Sequence, residues 1–209
     1  MATAASSTTQ SSDAERRRER RRAELLDAAD EVICRSGPAV SMDAIAAEAG
    51  VTKPILYRHF GDKEGLYEAL AQRYVDQLMG ELDSGSATGD ARARLAARID
   101  AYLSYVERNP QRYRFLLGAA ERPRTSMIVA EFREHRVNAC AVRAEESLRR
   151  AGLDPEIAEP WAHAVCGMIR SAGIWWLETR SLPRRRLVEH LTALLWEGFA
   201  PLQRRREPQ

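Results

Sequence analysis

The stretch "GVTKPILYRHFGDK", residues 50–63, decides the fold. Gly50 and Gly61 are residues at which helices end, so the stretch predicts one short helix between two turns. On a helix with 100° per residue, Leu56 and Phe60 lie about 40° apart and predict a buried face. The remaining positions of this helix are then left to face outward.

A second short helix is predicted just before this one. Ser41 is a suitable N-cap, and Ile45 and Ala49 share one face of the helix that follows it. Val51 is expected to point inward at the turn, and Thr52 is expected to cap the next helix. Two short helices that close over one small core in this way are typical of a helix-turn-helix, whose second helix can enter a DNA major groove.

The distribution of basic residues supports a nucleic-acid partner. Of the 32 Lys and Arg residues only Lys53 and Lys63 are Lys, and both lie in the stretch quoted above. Residues 16–22, "RRRERRR", carry six Arg and one Glu, a net charge of +5. This Arg-rich arm is expected to follow a phosphate backbone or to enter a minor groove.

The rest of the chain predicts an all-α fold with no strand and about nine helices in all. The disordered tail is expected at 1–15, the helix-turn-helix domain with its arm at 16–62, and a helical ligand-binding and dimerisation domain at 63–209. "DSGSATGD", residues 83–90, is the clearest loop. The longer helices are expected at 16–36, 62–82, 91–108, 110–118, 125–151, 155–180 and 183–203, with Pro160 kinking or restarting the helix that contains it.

Several classes of protein are disfavoured by the sequence. No apolar run is long enough to span a bilayer and the N-terminus has no signal pattern, so a cytoplasmic protein is expected. His135, His163 and His190 are far apart and match no catalytic motif, so we expect neither an enzyme nor a metal or other cofactor. The three Cys residues, at 34, 140 and 166, fit no disulfide framework or zinc site and are interpreted as small buried side chains, with a redox sensor as the alternative.

Residues 23–82 resemble the DNA-binding domain of TetR-type (TetR/AcrR) transcriptional regulators. The resemblance is carried by "LLDAADEVICRSG", "SMDAIAAEAGV" and "TKPILYRHFGDKEGLYEAL". By this resemblance the residues expected to face DNA bases are Lys53, Pro54, Ile55 and Arg58. Those expected to hold phosphates are Thr52, Tyr57, His59 and Lys63, with Ser41 near the backbone. The base-facing set and the long Arg arm depart from a typical member, so the operator sequence stays open.

The same resemblance implies an effector cavity in the C-terminal helices. The aromatic and sulfur-containing side chains that are candidates for lining it are Tyr105, Phe115, Phe132, Trp161, Met168 and Trp175. These types favour a hydrophobic or aromatic effector over a sugar or a phosphate. The alternative is that they are ordinary core residues, because an aromatic residue at helical spacing more often packs than lines a cavity.

Two stripes near the C-terminus predict a homodimer. The first is a stripe of small residues that lets helices approach closely, formed by Ala164, Gly167 and Ser171. The second is an apolar stripe formed by Leu187, Leu191, Leu194 and Leu195. Such stripes mark interfaces when they are exposed, although they could also pack within one subunit. A two-fold dimer also suits DNA reading, because one short helix reads too few base pairs and a dimer reads a palindrome.

Together these features predict a ligand-responsive repressor that binds a palindromic operator as a homodimer and leaves it when a small effector binds. One alternative is a DNA-binding regulator without a ligand. Another is a helical small-molecule-binding or enzymatic bundle with a vestigial DNA-binding motif. The sequence does not separate a repressor from an activator, because both bind DNA in the same way.

Overall fold

The computed structural model describes residues 4–84 and 90–198, and within these ranges every regular element is a helix, as the sequence predicts. The elements are α1 (Ala4–Ser36), α2 (Met42–Glu48), α3 (Lys53–Phe60), α4 (Lys63–Ser84), α5 (Ala91–Arg108), α6 (Pro110–Ala119), α7 (Ser126–Arg150), a 3-10 turn (Pro155–Ile157), α8 (Ala158–Thr179) and α9 (Arg184–Glu197).

The chain forms two compact units whose boundary differs from the predicted one. The first unit extends to Tyr74 and also includes Gln111–Ser126, whereas the second takes Val75–Pro110 and the chain from Met127 onward. The sequence predicts a boundary at residues 62 and 63 instead. The difference arises because α6 returns to the first unit, where Phe115 lies edge-on to the rings of Tyr67 and Tyr74 on α4, with centroids 5.2 and 5.4 Å away.

The helix-turn-helix in the first unit forms because its apolar positions repeat at helical spacing. Ile45 of α2 and Leu56 of α3 are fully buried, and Phe60 is 8% exposed, so the predicted inner faces are confirmed. The turn between the helices requires Gly50, whose φ of +61° is a conformation that side chains with a Cβ rarely adopt. The Val51 amide then closes the turn on the Ala46 carbonyl at 2.9 Å.

A buried ionic cluster ties α1, α4 and α6 together in the first unit. The Arg112 guanidinium binds both carboxylate oxygens of Asp30, with Nε–Oδ1 2.8 Å and Nη2–Oδ2 2.5 Å. The Tyr74 hydroxyl donates to Oδ1 of the same carboxylate at 2.7 Å. Burial alone raises the pKa of Asp30, but the hydrogen bonds from Arg112 and Tyr74 and the Arg112 charge outweigh it, so the pKa lies below its usual value.

The N-terminal residues differ from the predicted disordered tail at 1–15. Helix α1 begins at Ala4 and includes the Arg-rich segment 16–22. Asp13 favours this extension, because its carboxylate pairs with Arg16 and its carbonyl accepts a bond from Arg17 Nε at 3.2 Å. The basic segment is therefore helical, whereas entry into a minor groove requires an extended arm.

In the second unit α9 packs along α5. Leu187 and Leu191 of α9 are buried, and Arg184 adds ion pairs to Asp100 at 3.0 Å and to Glu107 at 2.9 Å. The two leucines were predicted to form a dimer face, and this prediction is wrong because they face the core of their own subunit.

The ends of α8 and α9 also differ from the prediction. A 3-10 turn precedes α8, so Pro160 lies in the first turn of a restarted helix, where proline is tolerated. Helix α9 ends at Glu197 because Gly198 turns the chain with a φ of +61°. The predicted continuation at 199–203 lies outside the described residues.

Candidate DNA-binding site

Helix α3 presents one apolar face to the core and a polar face to the surroundings. Leu56 and Phe60 supply the buried face, whereas Pro54, Tyr57 and Arg58 are exposed, with Tyr57 39% exposed. The outward positions carry a phenol and a guanidinium, which suit hydrogen bonding to phosphates and to guanine edges. The geometry therefore provides a short, exposed, cationic helix of the kind that lies in a DNA groove.

The start of α3 is built differently from the start of α2. The Ser41 hydroxyl of α2 accepts a hydrogen bond from the Ala44 amide at 3.1 Å, as predicted. Thr52 stands in the N-cap position of α3 with an extended backbone, but its side chain makes no such bond. The predicted capping bond is therefore not made. The exposed hydroxyl of Thr52 at the start of α3 is suited to holding a phosphate.

Lys53 is held by Asp43, and the sequence alone does not indicate that these two residues pair. Its Nζ lies 2.9 Å from Oδ2 of Asp43 on α2, and this hydrogen bond raises the pKa of Lys53. Asp43 is exposed and lies on the same surface as the cationic side chains. The amine therefore points toward α2 in the absence of DNA, and base or phosphate contact by Lys53 requires the pair to open or to be shared.

His59 lies on the side of α3 that is close to the basic part of α1. Its Nδ1 is buried and has no hydrogen-bond partner among the described residues. Burial lowers the pKa of His59, and positive charges lower it further, from Arg58, Arg18, Arg21 and Arg22. At neutral pH the ring is therefore neutral, and an approaching phosphate would raise its pKa and favour the cation.

The basic segment of α1 lies beside α3. The Arg22 guanidinium stacks over the Phe60 ring, 4.9 Å from its centroid, so this arginine covers the end of the helix-turn-helix core. Arg16, Arg20 and Arg21 pair with acids on α1 itself. The basic surface around α3 thus extends onto α1. The charge of residues 16–22 suggested a basic surface, but the sequence did not show that it lies beside α3.

The remaining predicted DNA contacts are spread around the same helices. Lys63 is exposed at the first residue of α4, with its Nζ 5.3 Å from the centre of the Tyr67 ring. Ile55 is half-buried, so its side chain is less accessible than Pro54 or Arg58. The structure therefore brings Thr52, Lys53, Pro54, Ile55, Tyr57, Arg58, His59 and Lys63 onto or beside α3, with Ser41 exposed at the start of α2.

The six predicted effector-lining residues do not form one group. Phe115 belongs to the first unit, where it packs against Tyr67 and Tyr74, so the prediction that it lines a cavity with the other five is corrected. Trp161 and Trp175 are 53% and 46% exposed. The members that stay inside the second unit are the buried Tyr105 and the half-buried Phe132 and Met168.

The exposed tryptophans lie instead with the predicted stripe of small residues on α8. Positions 161, 164, 168, 171 and 175 alternate at steps of three and four, so they share one face of the helix. Ala164 and Ser171 are exposed between the two tryptophans, and Gly167 is half-buried beside them. Leu194 and Leu195 of α9 are half-buried, unlike Leu187 and Leu191.

The fold and this surface define a class of helix-turn-helix DNA-binding proteins, and sequence comparison places the chain within it. Residues 25–70 match the family described as bacterial regulatory proteins, tetR family, and residues 77–208 match the tetracyclin repressor-like C-terminal domain. The chain belongs to the tetR family of bacterial transcriptional regulators, which confirms the predicted resemblance.

Individual relatives agree with this assignment. The HTH-type transcriptional activator FasR of Mycolicibacterium smegmatis is 34% identical over 191 residues, covering 88% of this chain and 85% of the relative. An uncharacterised HTH-type transcriptional regulator of Mycobacterium tuberculosis is 31% identical, covering 85% of this chain and 76% of the relative. A solved tetR-family regulator from Streptomyces coelicolor superposes with a TM-score of 0.69 at 27% identity, covering 88% of this chain and 82% of that one.

The described residues, 4–84 and 90–198, lack two kinds of feature. No helix within them is long and apolar enough to cross a membrane. In the same part of the chain, no three His, Cys, Asp or Glu side chains are grouped so that they could hold a metal ion.

Proposed function

We propose that the protein is a ligand-responsive repressor that binds a palindromic operator as a homodimer and is released by a small hydrophobic or aromatic effector. The observation that carries the proposal is the outer face of α3, where Tyr57 and Arg58 are exposed while Leu56 and Phe60 fill the core. A regulator of this kind acts on the chromosome in the cytoplasm, and we expect no catalytic activity from it.

DNA binding is assigned to α3 and its neighbours. Lys53, Pro54, Ile55 and Arg58 are proposed to face bases; Pro54 and Arg58 are exposed, whereas Lys53 and Ile55 are half-buried beside them. The proposed phosphate contacts are Ser41, Thr52, Tyr57, His59 and Lys63. The basic helical surface of α1 adds phosphate contacts, since several arginines lie near His59.

Dimerisation is assigned to the outer face of α8. Trp161 and Trp175 expose about half of their surface, and large exposed aromatic side chains in one stripe favour a protein partner. The small side chains of Ala164 and Ser171 between them allow a second helix to approach closely. A second copy of the chain supplies the same stripe, and a two-fold pair presents two α3 helices to the two halves of a palindrome.

The effector site is assigned to the interior of the second unit. Tyr105 and Phe132 are the apolar candidates that remain there, whereas the half-buried Met168 shares a face of α8 with Trp161 and Trp175. An effector that binds the DNA-incompetent dimer more tightly than the DNA-competent one shifts the population away from the operator. Helix α4 is the proposed route of the signal, because its first residues belong to the first unit and its last residues to the second.

The first test is a sequenced pull-down of genomic fragments. The wild-type chain is expected to enrich a palindromic site, and the double variant Tyr57→Phe/Arg58→Gln is expected to lose it. Arg150→Gln is the matched control, because it removes one exposed arginine at the end of α7. If the wild type enriches no site at low salt, or if Arg150→Gln is as defective as the double variant, the assignment of DNA reading to α3 is wrong.

Effector binding is tested by release of the operator in the presence of a panel of hydrophobic and aromatic compounds. Phe132→Ala is expected to weaken release by an active compound, whereas Trp161→Ala is expected to act through the dimer and not through compound affinity. A panel that never alters operator binding would favour regulation without a small molecule.

A second candidate function is transcriptional activation. It is favoured by one observation, that FasR, a relative of similar length, is named as an activator. A reporter gene behind the enriched site separates the two, because deletion of the regulator raises expression under a repressor and lowers it under an activator.

A further inference from the structure

A cavity of about 130 Å³ lies in the first unit, between α6, α4 and the turn that joins α1 to α2. Its apolar wall is formed by Pro38, Ala39, Tyr67, Phe115, Gly118 and Ala119. An engineered cavity of ~150 Å³ in another protein binds benzene, so this volume is close to what one six-membered ring requires. Every lining residue belongs to the first unit, so the cavity is separate from the effector site proposed in the second unit.

Two half-buried guanidiniums complete the lining of the cavity, and they differ in their partners. Arg122 has its Nη1 3.3 Å from Oε1 of Glu64, and its guanidinium lies 4.5 Å from the centre of the Tyr67 ring. The Arg114 side chain makes no hydrogen bond or ion pair within the described part of the chain. A cation that is partly withdrawn from water without an opposite charge favours an anion beside it. The cavity therefore combines an unpaired positive charge with an apolar wall.

Contacts with neighbouring residues hold the wall of the cavity in place. The buried Tyr67 donates from its hydroxyl to the Val40 carbonyl at 3.3 Å, which fixes the ring against the turn before α2. Phe115 is also buried and lies edge-on to Tyr67. At the end of α6, the Thr125 hydroxyl donates to the Ala119 carbonyl at 2.7 Å. The cavity is therefore formed before any ligand arrives, which lowers the cost of binding.

We propose that this cavity is a binding site for a monocyclic aromatic carboxylate, whose ring packs against Phe115 and Tyr67 and whose carboxylate pairs with Arg114. The planar carboxylate matches the parallel donors of a guanidinium. The ring matches the wall and the volume, whereas a nucleotide or a long acyl chain is too large for this cavity. An inorganic anion leaves the apolar wall uncovered. The ligand joins α6 to the turn that leads into α2.

The test is isothermal titration calorimetry of the full chain with benzoate, benzamide and acetate as probes. Benzoate is expected to bind saturably at one site per chain. Benzamide keeps the ring without the charge, and acetate keeps the charge without the ring. Each is expected to bind at least about tenfold more weakly than benzoate, because each loses either the charged hydrogen bonds or the burial of the ring.

Three results of this titration overturn the proposal. Absence of saturable benzoate binding removes the site. Equal affinity for benzamide and benzoate removes the pairing with Arg114. Equal affinity for acetate and benzoate shows an adventitious ion only.

The charge is tested by Arg114→Gln, which is expected to weaken benzoate binding at least about tenfold and to leave benzamide binding unchanged. Arg124→Gln is the matched control. Arg124 is exposed two residues after Arg122, already pairs with Glu68 and Asp62, and is not part of the described lining. Benzoate affinity that is equal in Arg114→Gln and Arg124→Gln contradicts the assignment of the carboxylate to Arg114.

The volume is tested independently by Gly118→Leu. A Cβ on Gly118 meets nothing within 4 Å, so the variant is expected to fold, and its longer side chain narrows the cavity and weakens the binding of benzoate and benzamide alike. Phe132→Ala, in the second unit, is expected to leave benzoate binding unchanged. Circular dichroism verifies that each variant is folded.

Loss of benzoate binding in Phe132→Ala but not in Gly118→Leu would place the ligand in the second unit and overturn the proposal. These readouts need no DNA, so they stand apart from the proposed regulatory function.

Discussion

The outer faces of α3 and α8 are both exposed in one chain, yet they differ in chemistry. α3 exposes a proline, a phenol and a guanidinium, at Pro54, Tyr57 and Arg58, whereas α8 exposes Trp161 and Trp175. A cationic face with hydrogen-bond donors fits phosphates and base edges, which stay hydrated until contact. An apolar face with small side chains between large ones fits another protein surface. The chemistry of each face therefore indicates its partner. The α3 face would exchange hydrogen bonds with water for polar contacts with DNA, whereas the α8 face would bury apolar surface against a protein.

The two faces also differ in what holds them in place. α3 is short and its last residue is closely approached by α4, which the Asp30 cluster ties to α1 and α6 within the first unit. α8 is a long helix whose inner side is fixed by buried residues such as Ala162 and Trp176. The proposed reading of DNA by α3 therefore depends on contacts among several helices, whereas the proposed dimerisation depends on the surface of one helix.

The largest expected effect comes from breaking the cluster formed by Asp30, Arg112 and Tyr74 in the first unit. Asp30→Asn leaves the half-buried Arg112 without its carboxylate, and we expect a loss of up to about 3–5 kcal/mol of unfolding free energy, the cost of removing one partner of a buried ion pair. Asp27→Asn, on the same helix, is the control, because Asp27 is exposed in its pair with Arg73. Urea unfolding at neutral pH measures both, and equal losses would contradict the special role of Asp30.

The same cluster gives a pH dependence with a defined sign. The pKa of Asp30 is lower in the folded chain than in the unfolded one, so its contribution to stability is present above the unfolded carboxyl pKa of about 4. It is lost as the pH falls through the lower folded pKa. We expect the stability of the wild type to fall more steeply with acid than that of Asp30→Asn, measured by unfolding at a series of pH values.

The next effect comes from breaking the α8 face. Trp175→Arg places a charge in the proposed interface, and loss of one aromatic anchor there costs about 2–4 kcal/mol of dimerisation free energy. Sedimentation is expected to show monomers at concentrations where the wild type is dimeric, with weaker operator binding. Val142→Arg is the control, because it adds the same charge on α7, where Val142 is 61% exposed. A dimeric Trp175→Arg chain would remove α8 from the interface.

A smaller effect is expected from the close approach of α4 to the end of α3. Phe60 is the last residue of α3, and a Cβ on Gly65 of α4 would lie 2.1 Å from the carbonyl oxygen of Phe60. Gly65→Ala is expected to cost about 1–3 kcal/mol, because backbone must shift to make room. Gly80→Ala on the same helix has nothing within 4 Å and is expected to stabilise by about 0.5–1 kcal/mol. Thermal unfolding of the two variants compares them directly.

The smallest effect concerns the acid on the DNA-binding surface. Asp43→Asn removes the partner of Lys53 and one negative charge beside the proposed phosphate contacts. Operator binding is expected to tighten, by less than about tenfold, because one exposed and screened charge pair is weak. Titration with labelled operator measures it, and weaker binding would show that Asp43 positions Lys53 for contact with DNA.

The sequence predicted the helix-turn-helix well because its information is local. Gly50, Ser41, Leu56 and Phe60 each act within a few residues of the chain, through a turn, a cap or a buried face. The Lys53–Asp43 pair could not be predicted in the same way, because it depends on the angle between α2 and α3. Charge alone indicated a basic arm, but the helical state of residues 16–22 depends on continuation of α1.

The predictions for the second unit were weaker because α8 is apolar on both sides. Periodicity identified Trp161 and Trp175 as important apolar residues, yet it did not tell which face of α8 packs inside the subunit. Leu187 and Leu191 were misplaced for the related reason that α5, their partner, is distant in sequence. Phe115 was misplaced because α6 returns to the first unit, and no local pattern records that return.

The helical state of the basic segment has a consequence in polyelectrolyte terms. Seven residues of α-helix rise about 10 Å, so the net charge of +5 over residues 16–22 gives about one positive charge per 2 Å. Duplex DNA carries one negative charge per ~1.7 Å of its axis. Asp13 and Glu24 pair with three of these arginines, so the segment gathers fewer anions than this spacing alone would give, and in the proposed DNA complex those anions are displaced. Replacing chloride by the weakly bound anion glutamate at constant sodium should then tighten binding, an effect that the cations around DNA do not produce.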